Sequence, residues 1–160
     1  MLGPEGENEM QGKIVTKFFD FSPEAYERLC EMSNETEVRD GAGVIRNALR
    51  FYDWFLNEQI QGNRVELDLA KESNFKRVEK RTAVYRVPLD FSPPAWMQFN
   101  DIRRKAEATS NAALLRDALH AYDQYLDQSL PGNLIRVVTK EGDTKEVEIS
   151  FLSKNPPYLT

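Results

Sequence analysis

Residues 20–23 read Asp-Phe-Ser-Pro, and the same four residues return at 90–93, a displacement of 70 positions. Many later positions repeat at this displacement: Arg46, Ala48, Leu49, Tyr52 and Asp53 match Arg116, Ala118, Leu119, Tyr122 and Asp123, and Gly62-Asn63 matches Gly132-Asn133. Chance does not align so many positions. The chain therefore contains one unit of about 70 residues written twice, and two copies are too few for a solenoid array.

Each copy begins with a predicted strand. Residues 14–21 and 83–91 are rich in β-branched and aromatic side chains, and each stretch runs into a Ser-Pro pair. Ser22 and Ser92 are suited to cap a helix, because a serine hydroxyl accepts a hydrogen bond from a free amide of the first turn. The proline that follows sits at the first helical position, where its missing N–H costs nothing. In both copies the strand should therefore pass directly into a helix.

Two helices and a hairpin are predicted after each strand. The first helix has an apolar stripe with one residue at every third position. The stripe is formed by Tyr26, Leu29 and Met32 in one copy and by Trp96, Phe99 and Ile102 in the other. A longer helix with a broad apolar face follows a polar break and ends at the Gly-Asn pair. The segments after that pair predict a hairpin in each copy, with polar turns at 72–74 and 142–143.

This order of elements, with Ile45-Arg46-Asn47-Ala48-Leu49 on the longer helix, resembles the ribbon-helix-helix family of Arc- and MetJ-type repressors. The resemblance covers about residues 14–58 and 84–128. It implies an α+β, mostly helical fold in which two units interlock as an intramolecular pseudo-dimer, their strands paired as a two-stranded antiparallel ribbon. The same pairing is expected physically, because a lone unit would leave strand edges unpaired and helix faces uncovered.

The repeat also predicts how the chain divides. The divisions are a disordered N-terminal arm at 1–13, a first unit with its hairpin at 14–80, a second unit with its hairpin at 81–153, and a C-terminal tail at 154–160.

The resemblance implies that the ribbon enters the DNA major groove. Side chains alternate along a strand, so Phe19, Phe21, Leu89 and Phe91 should pack on the helices. The residues predicted to face the bases are Thr16, Phe18, Asp20, Arg86, Pro88 and Asp90. Arginine pairs with guanine and aspartate accepts from cytosine N4. Two aspartates, a proline and an exposed phenylalanine are nevertheless unfavourable for DNA, and they favour a protein partner instead.

Phosphate contacts are expected from two kinds of group. In the family, the N-terminus of the longer helix binds phosphate through its free amides. Carried over, this implies Gly41, Ala42 and Gly43 in the first copy and Ser110, Asn111 and Ala112 in the second. The second group is a basic cluster before the second strand, formed by Lys76, Arg77, Lys80 and Arg81. A solvated linker of the same composition is the alternative reading of this cluster.

The charge distribution limits how DNA could be bound. The net charge is −5, and residues 1–80 carry 11 Lys+Arg against 16 Asp+Glu, whereas 81–160 carry 10 of each. An acidic chain gains no non-specific affinity for nucleic acid, so any DNA contact must be local. The sequence has no secretory signal and no apolar run near the ~20 residues that cross a bilayer, so we expect a cytoplasmic protein without a membrane partner.

The remaining reactive residues do not predict catalysis. Cys30 is the only cysteine, and we expect a buried, inert thiol on the first helix. His120 is the only histidine, so no metal site can be completed around it and a structural role is expected. The sequence therefore predicts no enzyme and no cofactor. Two functions stay open. The first is a DNA-binding transcriptional regulator, for which the resemblance implies self-association or cooperative binding on double-stranded DNA. The second is a protein-interaction module that kept the scaffold, lost DNA binding and holds a protein partner.

Overall fold

The computed structural model describes residues 12–79 and 83–149. The helices in these ranges are α1 (Pro23–Thr36), α2 (Gly41–Ile60), α3 (Pro93–Ala106) and α4 (Asn111–Gln128). The strands are β1 (Val15–Phe21), β2 (Arg64–Val65), β3 (Tyr85–Phe91), β4 (Leu134–Val138) and β5 (Thr144–Glu148). About half of the described residues are helical, and the strands form two small antiparallel sheets, which confirms the α+β class.

The repeated Ser-Pro pair starts a helix in the same way twice. Ser22 Oγ accepts a hydrogen bond from the amide of Ala25 at 3.1 Å, and Ser92 Oγ accepts one from Ala95 at 3.3 Å. A proline occupies the first turn of both helices. Both caps predicted from the sequence are therefore confirmed.

Each sheet contains strands from both copies of the repeat. β1 of the first copy pairs antiparallel with β3 of the second, and Phe18 lies opposite Pro88 at the centre of the register. The second sheet has the order β2-β4-β5, in which β2 belongs to the first copy. The two copies are therefore joined at both ends of the molecule by main-chain hydrogen bonds.

The two longer helices pack against each other, and aromatic side chains of one contact those of the other. The ring centroid of Phe51 lies 4.8 Å from that of Tyr125 and 6.1 Å from that of Tyr122. A single cluster of buried residues includes both copies, and its largest fully buried side chains are Leu29, Met32, Ile45, Leu49, Phe51, Leu89, Phe91, Phe99, Ile102, Leu114 and Leu119. Burial of this apolar surface holds the two copies together.

The prediction of a hairpin after each longer helix is wrong for the first copy. After α2 only Arg64–Val65 is a strand, and it pairs with β4 of the other copy, while residues 66–79 form no strand. The hairpin of the second copy is confirmed, because β4 pairs with β5. The physical reason for the difference is that this segment follows α4: its residues Asp68, Leu69, Lys71 and Asn74 bond to side chains of that helix.

Residues 66–79, called the connector below, lie along α4. The side chain of Gln128 exchanges two hydrogen bonds with the backbone of Asp68, each 2.9 Å long. Further along, Phe75 is buried and meets the ring of Phe21 edge-on, with the centroids 6.4 Å apart. These contacts hold the connector against α4 and β1, with Phe75 as its buried anchor.

Two ion pairs link the shorter helix of one copy to the longer helix of the other. Arg28 on α1 lies 2.7 Å from Asp123 on α4, and Lys105 on α3 bonds to Asp53 on α2. The aspartate side chains are 4% and 8% exposed, respectively. The two aspartates are equivalent in the repeat, but their cations come from different positions of it. Each pair compensates a carboxylate that would otherwise be buried alone.

Several predictions lie outside the described residues. They include the tail at 154–160, nearly all of the arm at 1–13, the boundary between the units at 80 and 81, and with it Lys80 and Arg81. Within 12–79 and 83–149, none of the helices combines the length and the apolar character that crossing a bilayer requires.

Candidate functional site

The β1–β3 sheet has one buried and one exposed face. Phe19, Phe21, Leu89 and Phe91 are each at most 5% exposed on the inner face, which confirms the predicted alternation. All six residues predicted for the other face are exposed: Thr16, Phe18, Asp20, Arg86, Pro88 and Asp90. The face that the sequence assigned to DNA is therefore open to a ligand, although its contacts with one stay a prediction.

The polar side chains on this outer face pair with one another across the strands. Thr16 Oγ1 donates to Asp90 Oδ1 at 2.6 Å. Arg86 donates from Nε to Asp20 Oδ1 at 2.8 Å and from Nη2 to Oδ2 at 3.3 Å. The hydrogen bond from Arg86 holds the pKa of Asp20 below its ordinary value, so this carboxylate is charged at neutral pH. Sequence reasoning identified these residues but not their pairing.

Phe18 lies between the two polar pairs, opposite Pro88. Its side chain is 59% exposed, and the Cζ atom of Arg86 lies 5.9 Å from the centroid of its ring. The six residues of the outer face include one cation and two carboxylates, a formal charge of −1. The centre of the face is thus apolar, and its ends are polar.

The N-terminal part of α2 lies beside β3, the strand of the other copy. Asp40 caps this helix by accepting from the amide of Gly43 at 3.0 Å, so one of the predicted phosphate-binding amides is already occupied. One and a half turns further along, Arg46 Nη2 donates to the main-chain oxygen of Asp90 at 3.1 Å. Gly41 and Ala42 complete the predicted group and are partly exposed.

The N-terminal part of α4 lies beside β1 in the corresponding way. Ser110 caps the helix by accepting from the amide of Ala113 at 3.0 Å. Ala112 and Arg116 line a small cavity together with Asp20 of β1 and Lys76 of the connector. The structure therefore brings one predicted base-reading residue and two predicted phosphate-binding residues to the same place. Asn111 is engaged elsewhere, since its Oδ1 accepts from Arg103 at 2.9 Å.

The basic cluster is only partly described. Lys76 and Arg77 are exposed, and Lys76 forms an ion pair with Glu72. Both residues of that pair are well exposed, at 64% and 78% of the side chain. An exposed pair of this kind opens readily in favour of another anion, because it contributes little to stability.

Arg46 and Arg116 are site residues that sequence reasoning missed. Both arginines entered the sequence analysis as part of the repeat, and Arg46 also as part of the motif at 45–49, but neither was predicted as a site residue. Each lies on the long helix of one copy beside the ribbon strand of the other. The signal that pointed to them was their recurrence at the displacement of 70. Arginines in these positions add positive charge on both flanks of the acidic outer face.

The other candidate residues have no part in this site. His120 Nε2 lies 3.0 Å from the main-chain oxygen of Leu69, so the imidazole contacts the connector. Cys30 was predicted to be buried and is exposed, because it lies one position beyond Leu29 and the helix turns its side chain by about 100° away from the core. Among the described residues, His, Cys, Asp and Glu form no group that could hold a metal ion.

Comparison of the chain with protein-family models, with curated proteins and with solved structures gave no match.

Proposed function

We propose that this chain is a single-chain ribbon-helix-helix regulator that binds double-stranded DNA by placing the β1–β3 sheet in the major groove. One observation carries the proposal. The exposed two-stranded sheet takes one strand from each copy, and beside each strand lies the N-terminal part of a long helix from the opposite copy. A two-stranded ribbon fits the width of the major groove. Helix amides and arginines on both sides of it then reach the phosphates that border the groove.

The charge of the site divides these roles. The outer face of the ribbon has a formal charge of −1, so it gains no general attraction to DNA. The cations Arg46, Arg116, Lys76 and Arg77 lie on the flanks or the adjoining connector, where phosphates would pass. Affinity would therefore come from the flanks, and sequence preference from the ribbon.

Binding of a labelled random-sequence duplex to the full chain, followed by fluorescence anisotropy, tests this proposal. The logarithm of the affinity should fall linearly with the logarithm of the salt concentration between about 50 and about 200 mM, with a slope of about −0.9 for each phosphate neutralised. Lys76→Ala and Arg116→Ala should each weaken binding on all sequences and reduce the slope by about 1.

Lys145→Ala is the matched control. Lys145 lies on β5, 4.0 Å from Glu58, which is ~25 Å along α2 from the end that borders the ribbon. The charge change equals that of Lys76→Ala, but the salt slope should not move. Absence of binding at the lowest salt would refute the proposal. An equal effect of all three substitutions would show that DNA does not bind at the ribbon.

A protein partner on the same face is the second candidate. It is favoured by Phe18, which is 59% exposed at the centre of a face whose polar side chains already bond to each other. Replacing Phe18 with a photoreactive phenylalanine analogue in cells separates the two candidates. Crosslinks to DNA support the first proposal, and crosslinks to one defined protein, without DNA, support the second.

A further inference from the structure

We infer that Asp20 and Arg86 act as one base-reading unit, in which Asp20 holds Arg86 in the orientation that pairs with guanine. This inference rests on the proposed DNA-binding function. It assigns a positioning role to Asp20, whose negative charge by itself would repel DNA.

The geometry leaves the required donors available. Asp20 accepts from Nε and Nη2 of Arg86 at 2.8 and 3.3 Å, so it occupies one edge of the guanidinium. A guanidinium has five N–H donors in a fixed fork. Three donors therefore remain, of which one on Nη1 and one on Nη2 lie side by side at the end of the guanidinium that Asp20 does not occupy. Guanine presents N7 and O6 side by side in the major groove, which is the pattern that two adjacent donors match.

A second contact restricts the arginine further. The Cζ atom of Arg86 lies 5.9 Å from the centroid of the Phe18 ring, so the guanidinium is held from two directions. Arg86 nevertheless stays 63% exposed and Asp20 38% exposed. An exposed ion pair adds little to folding stability. The effect of the ion pair is instead to restrict the Arg86 side chain before DNA binds. Arg86 then loses less conformational entropy on binding, which favours the bound geometry.

The other end of the ribbon differs. Thr16 occupies the position in the repeat that corresponds to Arg86, and Asp90 the position that corresponds to Asp20. There the carboxylate accepts from a hydroxyl, at 2.6 Å, and the guanidinium of Arg46 bonds to the main-chain oxygen of Asp90 instead of to its carboxylate. The two ends therefore present different groups to the groove, and the preferred DNA sequence has a required guanine at one end only. It is not a palindrome.

A competing explanation is that Asp20 only repels DNA. The Asp20→Asn variant separates the two, because it removes the charge and keeps the size of the side chain. Asp90→Asn is the matched control, since it removes the same charge from the same face at a residue that does not hold Arg86. Selection of bound duplexes from a random library, with full-length wild type and both variants, measures base preference and affinity together.

We expect the wild type to enrich guanine at one position by about 5- to 150-fold, the range of one good bidentate contact. Asp90→Asn should change affinity and base preference at the opposite end of the ribbon and leave that guanine signal in place. Asp20→Asn should lose most of that enrichment while its affinity for random DNA rises, because a repulsive charge is gone. An unchanged guanine preference in Asp20→Asn, with higher affinity for all sequences, would overturn the inference. So would DNA binding by the wild type without guanine enrichment, which leaves the proposed function intact. If no variant binds DNA at low salt, both the proposed function and this inference fail.

Discussion

Replacing Lys105 with methionine removes the cation that bonds to Asp53 and keeps a side chain of similar length. Lys105 is 19% exposed and Asp53 8% exposed, so the pair is largely shielded from water. Burial by itself would lower the pKa of Lys105, but the hydrogen bond and charge of Asp53, with those of Asp101, outweigh burial and raise it. The folded protein therefore favours the ammonium form. Without that form the Asp53 carboxylate would be buried without a compensating charge.

The expected loss of stability is large. Breaking a buried ion pair by removing one partner costs about 3–5 kcal/mol. Because water still reaches part of Lys105, we expect the lower end of this range, about 3 kcal/mol, against a total of about 5–15 kcal/mol for a domain. Urea unfolding of the full chain at neutral pH, followed by circular dichroism, measures the change. The midpoint should fall while the m-value stays constant, because the surface exposed on unfolding is unchanged.

Two further variants control the interpretation. Lys76→Met breaks the exposed ion pair with Glu72 and should leave the urea midpoint almost unchanged, because an exposed pair contributes little to stability. The double variant Lys105→Met/Asp53→Leu should recover most of the lost stability, because an apolar pair of similar volume leaves no buried charge. Equal losses for Lys105→Met and Lys76→Met would refute the reasoning, and so would a double variant as unstable as Lys105→Met alone.

Further predictions follow from the same structure. The pKa of Lys105 in the folded protein lies above its ordinary value of 10.5. The stabilisation from the ammonium group is therefore complete below pH 10.5 and is lost as the pH rises through the pKa of the folded state. Thermal midpoints of wild type and Lys105→Met should converge at strongly alkaline pH. Ser22→Ala and Ser92→Ala should each cost about 1 kcal/mol in thermal unfolding, and a negligible loss would mean that the hydroxyl is not capping. Phe75→Ala should cost about 3 kcal/mol and speed proteolysis of the connector, whereas unchanged cleavage would show that Phe75 does not anchor it. Residues 12–79 alone should lack a stable fold at low concentration, because the interior is shared; a cooperative unfolding transition of the isolated monomer would contradict this.

Much of the local structure could be predicted because it depends on neighbouring residues. The recurring Ser-Pro pairs predicted two capped helix starts, since capping involves only the first turn of a helix. The alternation of Phe19 and Phe21 with exposed neighbours predicted which face of β1 is buried, because successive strand residues point to opposite sides. The exposed position of Cys30 was missed, although the helical period alone places it off the stripe that contains Leu29.

The candidate site was predictable as a set of residues but not as an arrangement. Alternation identified the six outward side chains, yet the bonds from Arg86 to Asp20 and from Thr16 to Asp90 depend on the register between two strands 70 residues apart. The positions of Arg46 and Arg116 beside the ribbon depend on how the copies interlock. A periodic pattern contains no information about such partners.

The sequence by itself determined the repeated pattern of residues at a displacement of 70, the starts of the helices, and which strand residues are buried, because each of these follows from local order and periodicity. Only the tertiary structure decided that the first copy has a connector along α4 in place of a hairpin. It also decided that the equivalent aspartates Asp53 and Asp123 take cations from different positions of the repeat. The reason is physical. Tertiary packing determines which hydrogen-bond partner comes close to a polar group or a strand edge, and that partner belongs to a distant part of the chain.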